Sequence, residues 1–303
     1  MLEGLTSGAQ VWKHRYVRAV NIEAPVLITG CSSGIGRATA LRLARAGRLV
    51  YATARRLDGL DDLTAAGCKT LRLDVTDGTS MRDAVAAVER DAGAVGVLVN
   101  NAGYSQSGAI ESVPLELVRR QFETNVFGAI AMMQLVLPGM RRRRSGTIVN
   151  VSSMGGRLTF PGGGYYHATK YALEALTDAL RFEVGGFGIR AILIEPGLIR
   201  SEFAGAAVGA MAGTPAASSD GAYAAFDAAV AKATEESYRT GPLARLGGEP
   251  DDVARTIERA LVARRPRARY TVTPSATVLL GLRRILGDAG WDRFLQGQFA
   301  QPR

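Results

Sequence analysis

Short apolar runs alternate along most of the chain with longer segments of helical periodicity. The apolar runs predict strands and the periodic segments predict helices. The predicted strands are Val26–Thr29, Arg48–Thr53, Thr70–Asp74, Val95–Asn100, Thr147–Ser152, Ile189–Glu195 and Tyr270–Thr273. The predicted helices are Ser33–Ala46, Thr79–Asp91, Pro114–Met140, Tyr165–Val184 and Pro250–Ala263. Strands separated by helices favour parallel pairing with right-handed crossovers.

Several of the predicted strands are apolar almost throughout, which is typical of strands covered on both faces. The pattern therefore predicts an α/β fold, a Rossmann-type doubly wound parallel sheet of about seven strands with helices on both faces. No repeat and no linker interrupts residues 25–303, which are predicted to form one domain. Residues 1–24 are predicted to be an N-terminal extension. Residues 201–247 form a long insertion after the sixth strand, and such insertions are usually lids or mobile loops.

Composition excludes several classes of protein. The chain has 303 residues, of which 47% are hydrophobic and 21% charged, enough apolar material for a full core. No apolar stretch is long enough to span a membrane, and the first 24 residues do not resemble a secretory signal. Two cysteines and two histidines support neither a disulfide framework nor a metal site, so none is predicted. The protein is expected to be cytoplasmic.

The net charge of +9 raises the question of an anionic partner. The densest basic run, Arg141–Arg144, falls between a predicted helix and a predicted strand, where a charged surface turn is expected. No aromatic residue is interleaved with the run, and no nucleic-acid-binding motif accompanies it. We therefore interpret the charge as a solvated basic surface, and nucleic acid is not predicted as a partner.

A glycine-rich loop, Thr29–Gly36, lies between the first strand and the first helix. Gly30 permits a tight turn, while Gly34 and Gly36 allow close approach of the backbone to a ligand. The N-terminus of the following helix offers free N–H groups to a pyrophosphate. Because a strand precedes the loop and a helix follows it, the loop predicts dinucleotide binding rather than a plain strand–helix turn.

The end of the second strand favours NADP over NAD. An acidic residue that reads the ribose 2′-hydroxyl is absent there, and Arg55 and Arg56 follow instead. A guanidinium group suits a 2′-phosphate, although both arginines could equally stack on the adenine or face solvent. Asp74, after the third strand, either accepts a hydrogen bond from the adenine or caps its own turn with Thr76 and Asp77.

Tyr166 and Lys170 lie one helical turn apart on one face of a predicted helix. A nearby cation lowers the pKa of a phenol, and such a tyrosine can exchange a proton with a substrate oxygen. Ser153 ends the fifth strand at the sheet edge where ligands bind, so it could orient that oxygen. His167, beside the tyrosine, is expected on the helix surface.

These motifs, in this order, resemble the classical short-chain dehydrogenases/reductases over residues 25–273. Thr29–Gly36 resembles the TGxxxGxG loop of that family, Asn100–Gly103 its NNAG segment, and Asn125 the asparagine that kinks its long helix. Ser153, Tyr166 and Lys170 match the rest of its catalytic tetrad. Pro196 and Gly197, followed by Ile199 and Ser201, resemble the loop that holds the nicotinamide, although the family usually has threonine in place of Ser201.

The resemblance implies an oxidoreductase in which Tyr166 transfers the proton, Ser153 orients the substrate oxygen, Lys170 binds the nicotinamide ribose and Asn125 sustains a water relay. The predicted catalytic residues are Asn125, Ser153, Tyr166 and Lys170. The predicted cofactor-binding residues are Gly30, Ser32, Ser33, Gly34, Ile35, Gly36, Arg55, Arg56, Asp74, Val75, Asn101, Ala102, Gly103, Tyr166, Lys170, Pro196, Gly197, Ile199 and Ser201. Family members commonly pair through the helices Pro114–Met140 and Tyr165–Val184, which implies a homodimer or homotetramer.

The substrate is expected to be a small molecule, a bulky lipophilic ketone or secondary alcohol. Bulky side chains occur among the alanines of the insertion, at Phe203, Met211, Tyr223, Phe226 and Tyr238. Either they pack a helical lid onto the sheet, or they form an apolar wall for the substrate. The strand Tyr51–Arg55 and the segment Glu195–Phe203 also resemble hydroxysteroid and retinol dehydrogenases. The alternative function is a catalytically silent nucleotide-binding regulator or scaffold of the same fold.

Overall fold

The computed structural model describes residues 24–203, 205, 209, 221–299 and 301. The predicted extension therefore lies outside the described residues except for Ala24, as does part of the insertion. The strands are β1 (Val26–Ile28), β2 (Val50–Ala54), β3 (Lys69–Arg72), β4 (Val97–Asn100), β5 (Gly146–Val151), β6 (Ile189–Pro196) and β7 (Arg269–Val272). The helices are α1 (Gly34–Arg45), α2 (Asp61–Ala65), α3 (Gly78–Ala92), α4 (Leu115–Phe122), α5 (Gly128–Arg143), α6 (Gly164–Gly185), α7 (Ala224–Arg239), α8 (Pro250–Val262) and α9 (Pro274–Gln296).

The strands form one sheet in the order β3-β2-β1-β4-β5-β6-β7, and all neighbouring pairs are parallel. The predicted doubly wound fold is confirmed. The strand order reverses at β1, which has β2 on one side and β4 on the other. Ligands of such sheets bind beyond the carboxyl ends of the strands at this switch point. No helix within the described residues is long and apolar enough to cross a membrane.

Two apolar layers cover the sheet, one on each face. Val26 and Ile28 pack on one face with residues of α1 and α8, whereas Leu27 packs on the other face with residues of α3 and α5. Successive side chains of a strand point to opposite faces, so a strand buried on both sides must be apolar at every position. This requirement explains the uninterrupted apolar sequence of β1.

The structure departs from the predicted helices in three places. The predicted helix Pro114–Met140 is observed as α4 and α5 joined by a π turn over Glu123–Phe127. The short helix α2 and the long helix α9 were not predicted. In α9 the glycines at 281, 287 and 290 interrupt the apolar periodicity, and the backbone at Gly287 leaves the helical region with a φ of +61°.

The basic run Arg141–Arg144, which forms the last turn and the C-cap of α5, packs against its surroundings in the structure. The Arg141 guanidinium lies 5.8 Å from the centre of the Phe187 ring. Arg143 donates a hydrogen bond to a carbonyl oxygen at the end of α3, and Arg144 donates one to the carbonyl oxygen of Gly186. These contacts with the protein itself fit the interpretation of the run as a charged surface turn.

Candidate active site

Glycines shape the loop between β1 and α1 where a side chain would collide. Gly30 has a φ of +74°, and a Cβ there would lie 2.9 Å from the Cα of Ala102. A Cβ on Gly36 would lie 2.2 Å from the Gly30 carbonyl oxygen and 2.5 Å from Nδ2 of Asn101. No side chain caps α1 at Ser33. The first-turn N–H groups, together with the helix dipole, therefore form the kind of site that binds a phosphate group.

Asn101 holds this loop from the end of β4. Its Nδ2 donates hydrogen bonds to the carbonyl oxygens of Thr29 and Gly30, both at 3.0 Å. The Thr29 hydroxyl oxygen accepts hydrogen bonds from the backbone N–H groups of Asn101 and Ala102, both at 3.0 Å. Because the side-chain N–H groups of Asn101 are engaged within the protein, this side chain positions the loop. Any contact between Asn101 and a cofactor must therefore use atoms of Asn101 other than Nδ2.

The ends of β2 and β3 present charged side chains at the same edge of the sheet. Arg55 and Arg56 are both exposed. Oδ1 of Asp74 accepts hydrogen bonds from the N–H and the hydroxyl of Thr76, at 2.9 and 2.7 Å. Burial acts to raise the pKa of Asp74, but these hydrogen bonds and the charges of Arg55 and Arg72 lower it overall. Asp74 is thus a charged cap of its own turn, close to Arg55.

The π turn places Asn125 toward the loop that follows β4. Its Oδ1 accepts a hydrogen bond from the N–H of Tyr104 at 3.0 Å, and its Nδ2 donates to the Tyr104 carbonyl oxygen and the Thr169 hydroxyl at 2.8 and 3.1 Å. The side chain of Asn125 therefore ties that loop to α6. Immediately after the π turn, a Cβ on Gly128 would lie 2.6 Å from the carbonyl oxygen of Val75, so this glycine allows close packing.

Ser153, Tyr166 and Lys170 meet beyond the end of β5. Ser153 caps a short 3₁₀ turn, and its Oγ accepts a hydrogen bond from the N–H of Gly155 at 3.0 Å. The Ser153 side chain also lies close enough to the phenol of Tyr166 to lower its pKa. Nζ of Lys170 donates to the Val151 carbonyl oxygen at 2.9 Å and lies 5.7 Å from the centre of the Tyr166 ring.

Burial controls the protonation of this group. It raises the pKa of Tyr166 above its ordinary value, with a further contribution from the Tyr238 hydroxyl, while the Ser153 side chain acts to lower it. Burial also lowers the pKa of Lys170 to about 8, against an opposing influence from Glu174. In the structure, burial therefore raises the pKa of Tyr166, whereas the sequence predicted that Lys170 would lower it.

The expectation that His167 lies on the helix surface is wrong. The side chain is 8% exposed and packs between the rings of Phe160 and Tyr166. Its Nδ1 lies 3.1 Å from the Gly155 carbonyl oxygen, which can only accept, so Nδ1 carries the proton. Burial lowers the pKa of His167 to about 4, and the ring is neutral at pH 7. His167 thus supports the turn that carries Ser153.

The loop after β6 returns toward the glycine loop. It begins at Pro196, the last residue of β6. A Cβ on Gly197 would lie 2.5 Å from two side-chain hydroxyl oxygens at the start of α9, so only glycine fits this crossing. Ile199 is buried in the core. The Cβ of Ser201 would lie 3.9 Å from a Cβ on Gly34, which brings the loop within contact distance of the phosphate-binding turn.

The described part of the insertion covers the tyrosine. The Phe203 ring lies 5.4 Å from that of Tyr166. Helix α7 packs on the loop before α6, since a Cβ on Gly162 would lie 2.5 Å from a methyl carbon of Val230. Of the other bulky residues noted in the sequence, Tyr223, Phe226 and Tyr238 lie on or next to α7, whereas Met211 lies outside the described residues.

Comparison with known proteins decides the family. A family model described as short chain dehydrogenase matches residues 24–235. The chain belongs to the short-chain dehydrogenase/reductase family. This family consists of NAD(P)-dependent oxidoreductases, as the resemblance implied.

Similar proteins of this family differ in substrate and cofactor. The chain is 40% identical over 178 residues to a 3-ketodihydrosphingosine reductase of Bacteroides thetaiotaomicron, a match that covers 59% of this chain and 65% of that protein. It is 32% identical over 276 residues to an NADPH-dependent 3-dehydrocapnine reductase of Ornithobacterium rhinotracheale, covering 88% and 94% of the two chains. The crystal structure of a family member from Burkholderia phymatum in complex with NAD superposes with a TM-score of 0.74 at 26% identity, covering 95% of this chain and 98% of that one.

Sequence reasoning missed one group of this short-chain dehydrogenase/reductase site. Glu174 follows Lys170 by one helical turn. Arg269, from β7, forms an ion pair with Glu174 and another with Glu195 of β6. The four-residue spacing between Lys170 and Glu174 places both on one helical face, so the sequence alone could have indicated Glu174. Arg269 carried no signal, because it lies 95 residues from Glu174 along the chain.

Proposed function

We propose that this protein transfers a hydride between NADP(H) and a ketone or secondary alcohol, with Tyr166 as the acid/base. The meeting of Ser153, Tyr166 and Lys170 carries this proposal. The phenol lies near the Ser153 hydroxyl, which acts to lower its pKa, and the buried Lys170 ammonium lies 5.7 Å from the centre of its ring. These groups sit at the carboxyl edge of a parallel sheet, where such folds bind their ligands.

The described residues fit a dinucleotide. The glycine loop has positions at which a Cβ would collide, and the first turn of α1 has no side-chain cap, as a phosphate-binding turn requires. A bound nicotinamide supplies the hydride chemistry, and the protein supplies placement and electrostatics. The residues proposed to hold the cofactor are those predicted from the sequence, with Asn101 and Asn125 acting through the loops that their side chains support.

The preference for NADP rests on the end of β2. Arg55 and Arg56 are exposed there, and Asp74, the first acid after β3, is engaged with Thr76. A cationic edge favours a 2′-phosphate over a free 2′-hydroxyl. The relative that is named NADPH-dependent supports this preference, whereas the related structure with NAD bound shows that the family uses both cofactors.

Each catalytic residue has a role that its surroundings favour. Tyr166 gives its phenolic proton to a ketone oxygen, or takes a proton from a hydroxyl. Ser153 hydrogen-bonds the same oxygen and holds it against the phenol. The Lys170 ammonium offers a positive charge that favours the phenolate, and it can reach the ribose of a bound nucleotide. The phenol, with its pKa raised by burial, is protonated and ready to donate in the reductive direction.

An apolar surface beside Tyr166 favours a bulky lipophilic substrate. Met154, directly after Ser153, belongs to an apolar cluster with Phe160, Tyr238 and Trp291. Together with Phe203 from the insertion, these side chains line one flank of the site. The relative named as a 3-ketodihydrosphingosine reductase acts, by its name, on a ketone of a sphingoid base. Comparable turnover of a small polar sugar and a bulky apolar ketone would contradict this part of the proposal.

We also propose that the protein is a cytoplasmic homodimer or homotetramer. Large apolar side chains are exposed along α4, α5 and α6, where Leu115, Phe127, Tyr171 and Phe182 are between 44% and 77% exposed. These helices are the ones through which the family commonly pairs. Sedimentation analysis at several protein concentrations tests this assignment, and a monomer at all of them would contradict it.

The function is tested by two measurements. Titrations with NADPH and NADH, followed by fluorescence, should show tighter binding of NADPH. The substitutions Arg55→Ala and Arg56→Ala should reduce the difference in affinity between the two cofactors.

Tyr166→Phe should abolish turnover while NADPH affinity stays close to that of the wild type. Tyr165→Phe is the matched control, because the neighbouring phenol donates to the Ile110 carbonyl oxygen away from Ser153. Retained turnover in Tyr166→Phe would refute the acid/base role, and a wild type that binds NADPH without turning over any ketone or alcohol would favour the alternative of a silent nucleotide-binding scaffold.

A further inference from the structure

A buried cluster of charges lies behind the proposed catalytic lysine. Nε of Arg269 lies 2.9 Å from Oε2 of Glu174 and 3.2 Å from Oε1 of Glu195, and its Nη2 lies 2.5 Å from Oδ2 of Asp178. Glu174 is 6% exposed and Glu195 is fully buried. One guanidinium from the edge strand β7 thus joins a carboxylate of β6 to two carboxylates of α6.

The turn that carries Ser153 packs directly onto this cluster. A Cβ on Gly156 would lie 2.8 Å from Cγ of Glu174, 2.8 Å from Oγ of Ser152 and 3.1 Å from the Lys170 carbonyl oxygen. The Ser152 hydroxyl acts to lower the pKa of Glu174, although neither Ser152 Oγ nor Glu174 Oε1 makes a hydrogen bond of normal geometry. The Glu174 carboxylate is therefore held between the Ser153 turn and the helical turn that bears Lys170.

Burial disfavours the charged form of Lys170 unless a negative charge lies nearby. Lys170 is 6% exposed, and its ammonium donates a hydrogen bond to a neutral carbonyl oxygen. A buried ammonium is stabilised in its charged form only by nearby negative charge or by hydrogen bonds. Glu174 lies one turn away on the same helical face and is the opposing influence on the pKa of Lys170.

We propose that Glu174 is a positioning residue for the active site, whose carboxylate, held by Arg269, keeps Lys170 protonated through neutral pH. This inference rests on the proposed function, because it assigns Lys170 its charged role. The titratable and charged groups that face Lys170 or Glu174 are Tyr166 and Asp178 on α6, Glu195 on β6 and Arg269 on β7, with Arg157 on the far side of Glu195.

Arg269 does not replace Glu174 in this role. The influences on the pKa of Lys170 are burial and Glu174, and Arg269 is not among them. Burial, aided by the charge of Glu195, raises the pKa of Glu174 overall, and the hydrogen bond and the charge of Arg269 oppose that rise. Arg269 therefore acts on Lys170 through Glu174, by favouring the ionised form of that carboxyl group.

The test follows the titration of Lys170 directly. The chain has four lysines, at 13, 69, 170 and 232, so protein labelled with ¹³C-lysine gives few signals, and Lys170→Arg assigns the relevant one. In Glu174→Gln, the titration midpoint of Lys170 should fall by about 1 pH unit. Glu174→Asp, which keeps the charge, should restore a midpoint near that of the wild type. Glu183→Gln is the matched control, an exposed glutamate on the same helix.

A second readout separates electrostatic positioning from mere packing. The alkaline limb of the kcat/KM profile should move to lower pH in Glu174→Gln by the same amount as the Lys170 midpoint, and Glu174→Asp should reverse the change. If Glu174→Gln does not fold, the double variant Glu174→Gln/Arg269→Gln leaves neither partner of that ion pair charged and should show the same fall. An unchanged midpoint in the folded variant, or an equal shift in Glu183→Gln, would overturn the proposal. The NMR titration needs no turnover, so failure of the proposed function would leave it interpretable.

Discussion

The substitution Gly36→Ala sets two physical effects against each other. Alanine has the higher helix propensity, so in an open position it would stabilise the helix by about 1 kcal/mol. At Gly36, however, the new methyl group would lie 2.2 Å from the Gly30 carbonyl oxygen and 2.5 Å from Nδ2 of Asn101. Forcing a methyl group into a packed site costs about 1–3 kcal/mol, and the upper end of this range, about 3 kcal/mol, applies here because the obstacle is backbone. We therefore expect a net loss of about 2 kcal/mol in the free energy of unfolding.

Urea denaturation followed by circular dichroism measures this change, and titration with NADPH measures its effect on the loop. The affinity for NADPH should fall, because the methyl group can fit only if the Gly30 carbonyl and the Asn101 amide move. Gly281→Ala is the matched control, since this glycine lies in α9 with no atom within 4 Å of a Cβ, and it should be neutral or slightly stabilising. If Gly36→Ala were as stable as Gly281→Ala and bound NADPH normally, the steric reasoning would be refuted.

Two further predictions concern side chains whose roles emerged from the structure. Asn101→Ala removes two hydrogen bonds of 3.0 Å to the carbonyl oxygens of Thr29 and Gly30. The free energy of unfolding should therefore fall by about 2 kcal/mol, and the affinity for NADPH should fall as well. An unchanged urea denaturation curve would contradict this prediction. His167 has a folded-state pKa of about 4 against an ordinary 6.5. Its contribution to stability is therefore complete above pH 6.5 and is lost as the pH falls toward 4, by about 2 kcal/mol between pH 7 and pH 5. His167→Gln should lose correspondingly less stability over that interval, and equal pH slopes for the two proteins would exclude a buried neutral ring.

The local pattern of the sequence was sufficient for the architecture. The five inner strands of this sheet are buried on both faces, so they are mostly apolar regardless of which neighbours they have. Right-handed crossovers then leave few topologies for alternating strands and helices. The glycine loop and the pair Tyr166 and Lys170 could be found for the same reason, because their spacings along one turn or one helical face are local geometry.

Helix α9 could not be predicted from the same kind of signal. Three glycines interrupt its periodicity, and its apolar side chains face a cluster that exists only after the loop bearing Met154 and the insertion have packed beside it. Likewise, the capping of its own turn by Asp74 depends on where Thr76 lies in the folded chain.

What the sequence by itself determined is the order of the elements, the doubly wound sheet and the family to which the chain belongs. Only the tertiary structure decided how those residues are supported. The Asn101 amide turned inward to hold the glycine loop, His167 became a buried neutral ring, and Glu174 met an arginine 95 residues away. The physical reason is that burial and long-range pairing determine the charge and partners of a polar side chain, and neither is encoded in the periodicity around it.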